Sequence, residues 1–278
     1  MKLMEEKNWE VVYHYTSLSG FDRILSSGSL NLTDIIKSND PAEGFYSLQM
    51  LKEAYCKLYH DEEIDDKTYH LFHKVFFEFS EGEQCFGRLQ QVVLSISFCE
   101  PELPLALWRT YGDNGRGVAI GISKDVLYKI AESVDFTFKP IEYVSEKDML
   151  ERYCDFWKSH IDADEDSIDA DLRKEYLEGY FIKRPENSYE REWRLIYTGL
   201  NLENYTILAP DVPNEICSYM RGDDVVLYYK LMINGTDRVI DYVYTGPQCK
   251  ITDNEMRLLL KKYNVQYCGV SHDNIVMR

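Results

Sequence analysis

The sequence predicts an α+β fold in one domain, and three observations predict it. Short apolar strands alternate with capped helices from one end to the other. Two longer helical stretches, at about 41–85 and 145–183, interrupt that alternation as insertions. No Pro/Gly/Ser-rich linker, internal repeat or low-complexity segment divides residues 1–278. A chain of 278 residues with 45% hydrophobic and 28% charged residues is globular and buries a full core without staples.

Residues 9–14 read as a strand, with Val11 and Val12 as its apolar centre and His14 at its end. Ser19 is the expected cap of a helix over 20–26, with Gly28 past its end. Asn39-Asp40-Pro41 reads as a turn opening a long helix, Asp40 capping it and Pro41 taking its first position. Leu48, Leu51, Ala54, Tyr55 and Leu58 carry that helix's 3.6-residue period. A second helix follows over 65–79. His70 and His73 lie on it at metal-ligand spacing, but no third ligand is near, and they read as surface or boundary residues.

Residues 91–98 (QVVLSISF) form a dense apolar run, expected as a central strand. Pro101 and Pro104 end it, a short helix covers 105–111, and Gly112-Asp113-Asn114-Gly115-Arg116-Gly117 is a turn-rich loop. A strand over 118–122 and a helix over 124–131 capped by Ser123 come next. Residues 136–144 alternate as a strand, and 145–182 are helical, with the acidic run 162–171 between two helices. Asp162, Asp164 and Asp166 mimic a calcium loop, yet its sixth position is Ser167 and its twelfth Arg173, where glycine and glutamate are needed. A polar loop over 184–191 introduces a strand over 192–197. Residues 225–233 and 239–244 read as a hairpin about Asn234-Gly235. A helix over 253–263 and a strand over 265–271 close the chain.

With a formal net charge of −17, nucleic-acid binding through general electrostatics is not expected, although the charge leaves room for a local basic groove. No stretch approaches the ~18 apolar residues of a transmembrane helix, so no membrane role is expected. The opening MKLMEEKNWE is no secretory signal. The 7 cysteines are scattered without a C-x-x-C pair, as expected of reduced thiols in a cytoplasm. Of the 22 tyrosines, those in apolar context (Tyr228, Tyr229, Tyr242, Tyr244) read as half-buried sheet residues.

Three segments combine strand ends with polar or aromatic residues. The first is His14-Tyr15-Thr16. The second is Ser95-Ile96-Ser97-Phe98, leading to Trp108-Arg109-Thr110-Tyr111 and Gly115-Arg116-Gly117. The third is Tyr189-Glu190-Arg191-Glu192-Trp193-Arg194, where alternation sends Glu192 and Arg194 to one face and Trp193 and Leu195 to the other. A glutamate opening a strand among aromatics can accept hydrogen bonds from a sugar diol and steady a developing oxocarbenium ion.

That order resembles the ADP-ribosyltransferase superfamily. Over nearly all of its length the chain also resembles a bacterial domain-of-unknown-function family, number 2971. The matching features are His14-Tyr15-Thr16, Asn39-Asp40-Pro41 with Glu43, SISFCE, ALWRTYGDNGRGVAIGI, YEREWRLIY, Tyr244-Thr245-Gly246-Pro247 and Ser271. The resemblance implies an ADP-ribosyltransferase-like split β-sheet core and NAD as co-substrate. By the same resemblance, His14, with Tyr15 and Thr16 beside it, holds the adenosine-side ribose. Tyr111, or Trp108 on the same helix, stacks on nicotinamide. Phe98 stands where many relatives have a tyrosine. Glu192 is the catalytic carboxylate, with Glu190 as the alternative, and no metal is implied. The implied activity is ADP-ribosyl transfer to a macromolecular acceptor, or hydrolysis of NAD, in a bacterial toxin or anti-phage defence effector with a neutralising or operon partner. Arg88, Arg109, Arg116 and Lys183 are all candidates for the diphosphate.

The same residues admit plainer roles. His14 can be a structural hydrogen-bonding residue. Trp108 and Tyr111, three apart, can share a core-facing helix side. Glu192 and Arg194 can form an ion pair of little worth if exposed. A non-catalytic nucleotide-sensing or interaction module on the same fold is the competing reading. Behind it stands a metal-dependent hydrolase using Asp40, Glu43 and Glu192.

Overall fold

The computed structural model describes residues 11–37, 45–84, 91–101, 104–132, 135–201, 216–233, 239–267 and 269–272. Its strands are β1 (Val11–Thr16), β2 (Ser29–Asp34), β3 (Gln91–Cys99), β4 (Val118–Ser123), β5 (Phe136–Pro140), β6 (Glu142–Tyr143), β7 (Ile182–Lys183), β8 (Glu192–Asn201), β9 (Ile216–Arg221), β10 (Asp224–Met232), β11 (Ile240–Thr245) and β12 (Gly269–His272). Its helices are α1 (Leu18–Ser27), α2 (Phe45–His60), α3 (Asp66–Gln84), α4 (Leu105–Thr110), α5 (Lys124–Ala131), α6 (Glu146–Ser159), α7 (Glu165–Gly179) and α8 (Asp253–Lys262). The mixed α+β class is as the sequence predicts, and the long helices come in two pairs, α2–α3 and α6–α7. None of the described helices is long and apolar enough to cross a membrane.

Ten strands form one sheet in the order β12-β11-β4-β1-β3-β2-β10-β9, with β8 on β3 and β5 on β8. All its pairings are antiparallel except β11 with β12. One edge of β3 is zipped to β8 from Gln91↔Asn201 to Cys99↔Glu192. Its other edge is shared. β2 takes Leu94 and Ser95, while β1 meets β3 at Tyr13↔Cys99 and then leaves it. β1 is committed instead to β4, from Val11↔Ser123 to Thr16↔Val118. The sheet therefore opens beside residues 96–98 of β3.

Helices α2, α3, α6 and α7 pack over one face of the sheet around Leu51, Tyr55, Phe72, Trp157 and Leu172, joined by Val93 of β3 and Ile196 of β8. Helices α1, α5 and α8 cover the other face, around Phe21, Leu127, Met256 and the sheet residues Val12, Leu94 and Leu195. A smaller cluster gathers Tyr13, Tyr15, Leu107, Trp108 and Ala119 between β1, β4 and α4. The loop 112–117 is clamped here. A Cβ on Gly117 would lie 2.2 Å from the Thr16 carbonyl oxygen, so only glycine lets the loop run against β1. Gly246 N–H donates to the Gly117 carbonyl at 2.9 Å and Gln248 N–H to that of Gly115 at 2.8 Å, so the Tyr244-Thr245-Gly246-Pro247 motif braces this loop.

Several expectations are corrected. β1 continues to Thr16, placing His14 inside the strand and not at its end. Ser17, not Ser19, caps α1, because Ser17 is the residue with extended backbone and its Oγ accepts from Gly20 N–H at 3.0 Å. The alternating stretch 136–144 is two strands, parted where Ile141 N–H donates to the Glu192 carbonyl at 2.8 Å. Most of the acidic run lies inside α7. Asp164 caps that helix through Ser167 N–H at 2.9 Å, and the acids after it suit the positive end of the helix dipole. The expected hairpin between 225–233 and 239–244 does not form. β10 pairs with β2 and β9, and β11 with β4 and β12, because each run has a longer ladder elsewhere. The tight hairpin is β9–β10, turning at Gly222 (φ 62) between Arg221 and Asp224. The predicted turns at 39–41 and 234–235, with Glu43, Arg88, Cys85 and Cys268, lie outside the described residues.

Candidate functional site

A cleft of about 570 Å³ opens where β1 and β3 part. That size suits a small-molecule site, roughly 300–1,000 Å³ in general. Its floor is the sheet itself. Residues directly opposite across a ladder share a face, as do residues two apart on a strand. Glu192, Arg194, Ser97, Ser95, Thr33 and Asn31 therefore share one face, since Cys99 stands opposite Glu192, Ser97 opposite Arg194 and Ser95 opposite Thr33. On that face Val93 of β3 is under the helices, while Ser97 and Asn31 are exposed.

One end of the cleft is a buried ionic cluster. Glu192 is 4% exposed and Glu190 7%. Arg194 places Nε and Nη2 at 2.8 and 2.7 Å from Glu192 Oε1, and its Nη1 donates to the Tyr180 carbonyl at 2.6 Å. Lys183 Nζ lies 2.7 Å from Glu192 Oε2 and 2.9 Å from Glu190 Oε2. Glu192 N–H donates to the Tyr143 hydroxyl at 2.9 Å. Burial alone would raise the Glu192 pKa, but the charges of Arg194 and Lys183, with hydrogen bonds from Lys183 and Ser97, hold it below 4.5. The pairing within β8 is thus a buried one, not the exposed pair the sequence allowed. Glu190 precedes β8 and reaches Lys183 where the chain turns at Arg191 (φ 42).

Tyr111 stands over this end, its hydroxyl donating to Glu190 Oε1 at 3.2 Å. The residue is 39% exposed. His14 of β1 also lines the cleft, half-buried. Its Nδ1 is 3.0 Å from the Ser97 carbonyl, in the stretch of β3 that β1 and β2 leave unpaired. Burial lowers the His14 pKa and that hydrogen bond raises it, with burial prevailing. The ring is then neutral, Nδ1–H donates, and Nε2 is its acceptor. Phe98 meets the His14 ring edge-on, centroids 6.1 Å apart.

The cleft brings together His14, Tyr15, Phe98, Tyr111, Glu190 and Glu192. It leaves out two other expected site residues. Trp108 is fully buried, its ring edge-on to Tyr15 at 4.8 Å, because on α4 it faces the β1–β4 cluster. Thr16 sits at the first turn of α1, where a Cβ on Gly20 would come within 2.1 Å of its Oγ1. Of the diphosphate candidates, Lys183 lines the cleft between its two carboxylates, whereas Arg109 and Arg116 are exposed outside it. Lys37 and Arg221 line the far end and were not expected. Their one sequence signal is the Gly222-Asp223 turn beside Arg221. His70 and His73 are exposed on α3, His73 stacked on Phe77. Among the described residues no group of three or more His, Cys, Asp or Glu is placed to hold a metal ion.

Residues 107–195 match the family described as Protein of unknown function (DUF2971). The match runs from α4 into β8, so it carries Tyr111, Lys183, Glu190 and Glu192 but not His14. No curated protein and no solved structure matches the chain.

Proposed function

We propose that the cleft binds NAD and that the protein breaks its nicotinamide–ribose bond, passing ADP-ribose to a macromolecular acceptor or to water. One observation carries the reading. His14, Phe98, Tyr111, Glu190 and Glu192, from the three segments singled out in the sequence, line a single cleft. Tyr111 offers an aromatic face beside two carboxylates, the pairing needed for a flat leaving group next to a ribose. Glu192 is held ionised, the state in which a carboxylate stabilises positive charge growing on C1′ as nicotinamide departs with the bonding electrons. Neutral His14 offers Nε2 to a ribose hydroxyl. An enzyme of this kind serves as a toxin or anti-phage effector by draining NAD or modifying an essential target.

A second reading has its own observation. Both Glu192 oxygens already carry a cation, Arg194 on one and Lys183 on the other. A carboxylate so engaged has less negative charge to offer a ribosyl cation, which favours a module that senses nucleotide without turnover. Incubating the protein with NAD and following free nicotinamide separates the two. The enzyme reading expects release that Glu192→Gln and His14→Ala abolish or strongly slow. Release that both variants leave untouched overturns this site. NAD binding without release supports the sensing module, and neither binding nor release sinks both readings.

A further inference from the structure

We infer that Lys37 and Arg221 form an anion-binding end of the cleft that takes the phosphates of a nucleotide. The inference deepens the NAD reading and rests on it for the nucleoside, not for the anion. Lys37 lies on the short helical turn after β2, and Arg221 ends β9. The sheet brings them together across β10. Asp224 of β10 is opposite Arg221, Lys37 Nζ meets Asp224 Oδ1 at 2.8 Å, and Arg221 Nη2 donates to the Lys37 carbonyl. Both side chains line the same cleft as Glu192 and His14.

Charge points the same way. The cleft lining carries three cations (Lys37, Lys183, Arg221) and two carboxylates (Glu190, Glu192), in a chain of formal net charge −17. Lys183 is consumed between the two carboxylates, and Arg194 beside it offsets the remaining negative charge. At the Lys37–Arg221 end Asp224 offsets one of the two cations, which leaves one positive charge in surplus among these three residues. The partner of Lys37, Asp224, is 55% exposed, so that ion pair is weak and an entering phosphate can compete with it. An Arg fork beside a Lys point charge suits phosphate oxygens.

Between the two ends runs the polar row Ser97, Ser95, Thr33 and Asn31. From the level of Cys99 to that of Ser95 alone is about 13 Å at ~3.3 Å per residue, and Lys37 lies beyond Thr33. Such a span separates a ribosyl end at Glu192 from a phosphate end at Lys37, with hydroxyl and amide groups along the way.

Calorimetry with adenosine, ADP and inorganic pyrophosphate tests the inference on the full chain. Wild type is expected to bind ADP at least tenfold more tightly than adenosine and to bind pyrophosphate. Charge-assisted hydrogen bonds of ordinary strength predict losses for ADP of about tenfold in each of Lys37→Met and Arg221→Met, with little change for adenosine. Lys37→Arg retains most of the affinity, which separates lost charge from lost folding, and thermal melts of each variant confirm the fold. An ADP preference that survives in the double methionine variant overturns the inference, as does pyrophosphate binding equal in wild type and double variant. Nicotinamide release by wild type with KM unchanged in the double variant removes the anion site and leaves the NAD reading standing. Pyrophosphate binding lost in the double variant, with no nicotinamide release by wild type, does the reverse.

Discussion

Arg194 forks onto Glu192, two residues away on the same face of β8, with Nε and Nη2 at 2.8 and 2.7 Å from one carboxylate oxygen. Arg194 is 2% exposed and also holds the Tyr180 carbonyl just past α7, so it ties the cleft's ionic end to the helical layer. Removing Arg194 leaves the buried Glu192 only Lys183, which Glu190 shares. Arg194→Met is expected to cost about 3–5 kcal/mol. The double variant with Glu192→Gln should be less unstable than the sum of the singles, because the charge that Arg194 offsets is then also gone. Urea unfolding of the four proteins measures this, and strictly additive costs would show that the two groups do not stabilise each other.

Glu192 also fixes a pH dependence. Burial opposes its ionisation, but Arg194 and Lys183 prevail and set its folded pKa below the ordinary 4.5. A depressed carboxylate contributes stability above its unfolded pKa and loses it as pH falls through the folded value. Wild type should therefore lose stability more steeply than Glu192→Gln on acidification below about pH 4.5. Parallel slopes in that window would contradict the ion cluster.

His14 titrates with the same sign for a different reason. Burial, outweighing the Ser97 hydrogen bond, lowers its pKa from 6.5, so protonation favours the unfolded chain. Its contribution to stability is complete above 6.5 and is lost as pH falls toward the lower folded value. Two-dimensional NMR of the ring should show a neutral His14 protonated at Nδ1, with a midpoint below 6.5. A midpoint above 6.5, or an Nε2–H tautomer, would remove the proposed acceptor from the cleft.

Much of this fold is legible in local signals. Apolar period placed α2, the run QVVLSISF placed β3, and Ser123 before a periodic stretch placed α5. Ser95 and Ser97 within that run mark where a central strand meets solvent and not another layer. Long-range pairing was not legible. The runs on either side of Asn234-Gly235 have the pattern of a hairpin, and nothing local says that β2 and β4 offer each a longer partner. Trp108 and Tyr111 share a helix side by spacing, and only packing against Tyr15 decides that one is core and the other lines the cleft. Alternation put Glu192 and Arg194 together, but their burial, and the contact of Glu190 with the same lysine where the chain turns at Arg191, depend on β7 and α7. The contact between Lys37 and Arg221 joins residues 184 apart through a third strand, beyond the reach of periodicity.

Gly117 should prove irreplaceable for packing. A methyl group there would press on the Thr16 and Gly112 carbonyl oxygens at 2.2 and 3.0 Å, and both are backbone atoms that cannot swing away. Gly117→Ala is expected to cost about 1–3 kcal/mol, the range for overpacking. The strain falls on β1 two residues from His14, so the ring's NMR signals should shift with it. An alanine variant as stable as wild type, by denaturant melts, would refute the close approach.

Tyr111 separates a ring from a hydroxyl. Its hydroxyl donates to Glu190 Oε1 at 3.2 Å, a long bond on a partly exposed side chain, whereas its ring faces the cleft. If nicotinamide stacks there, the ring carries the interaction, and stacking on a base is worth about 1–3 kcal/mol. Tyr111→Phe should keep kcat/KM for nicotinamide release within about threefold of wild type, the effect of losing one modest hydrogen bond. Tyr111→Ala should lower it about tenfold or more through loss of the stacking face. Equal losses in both variants would assign the function of Tyr111 to its grip on Glu190, and no loss in either would move the nicotinamide elsewhere in the cleft.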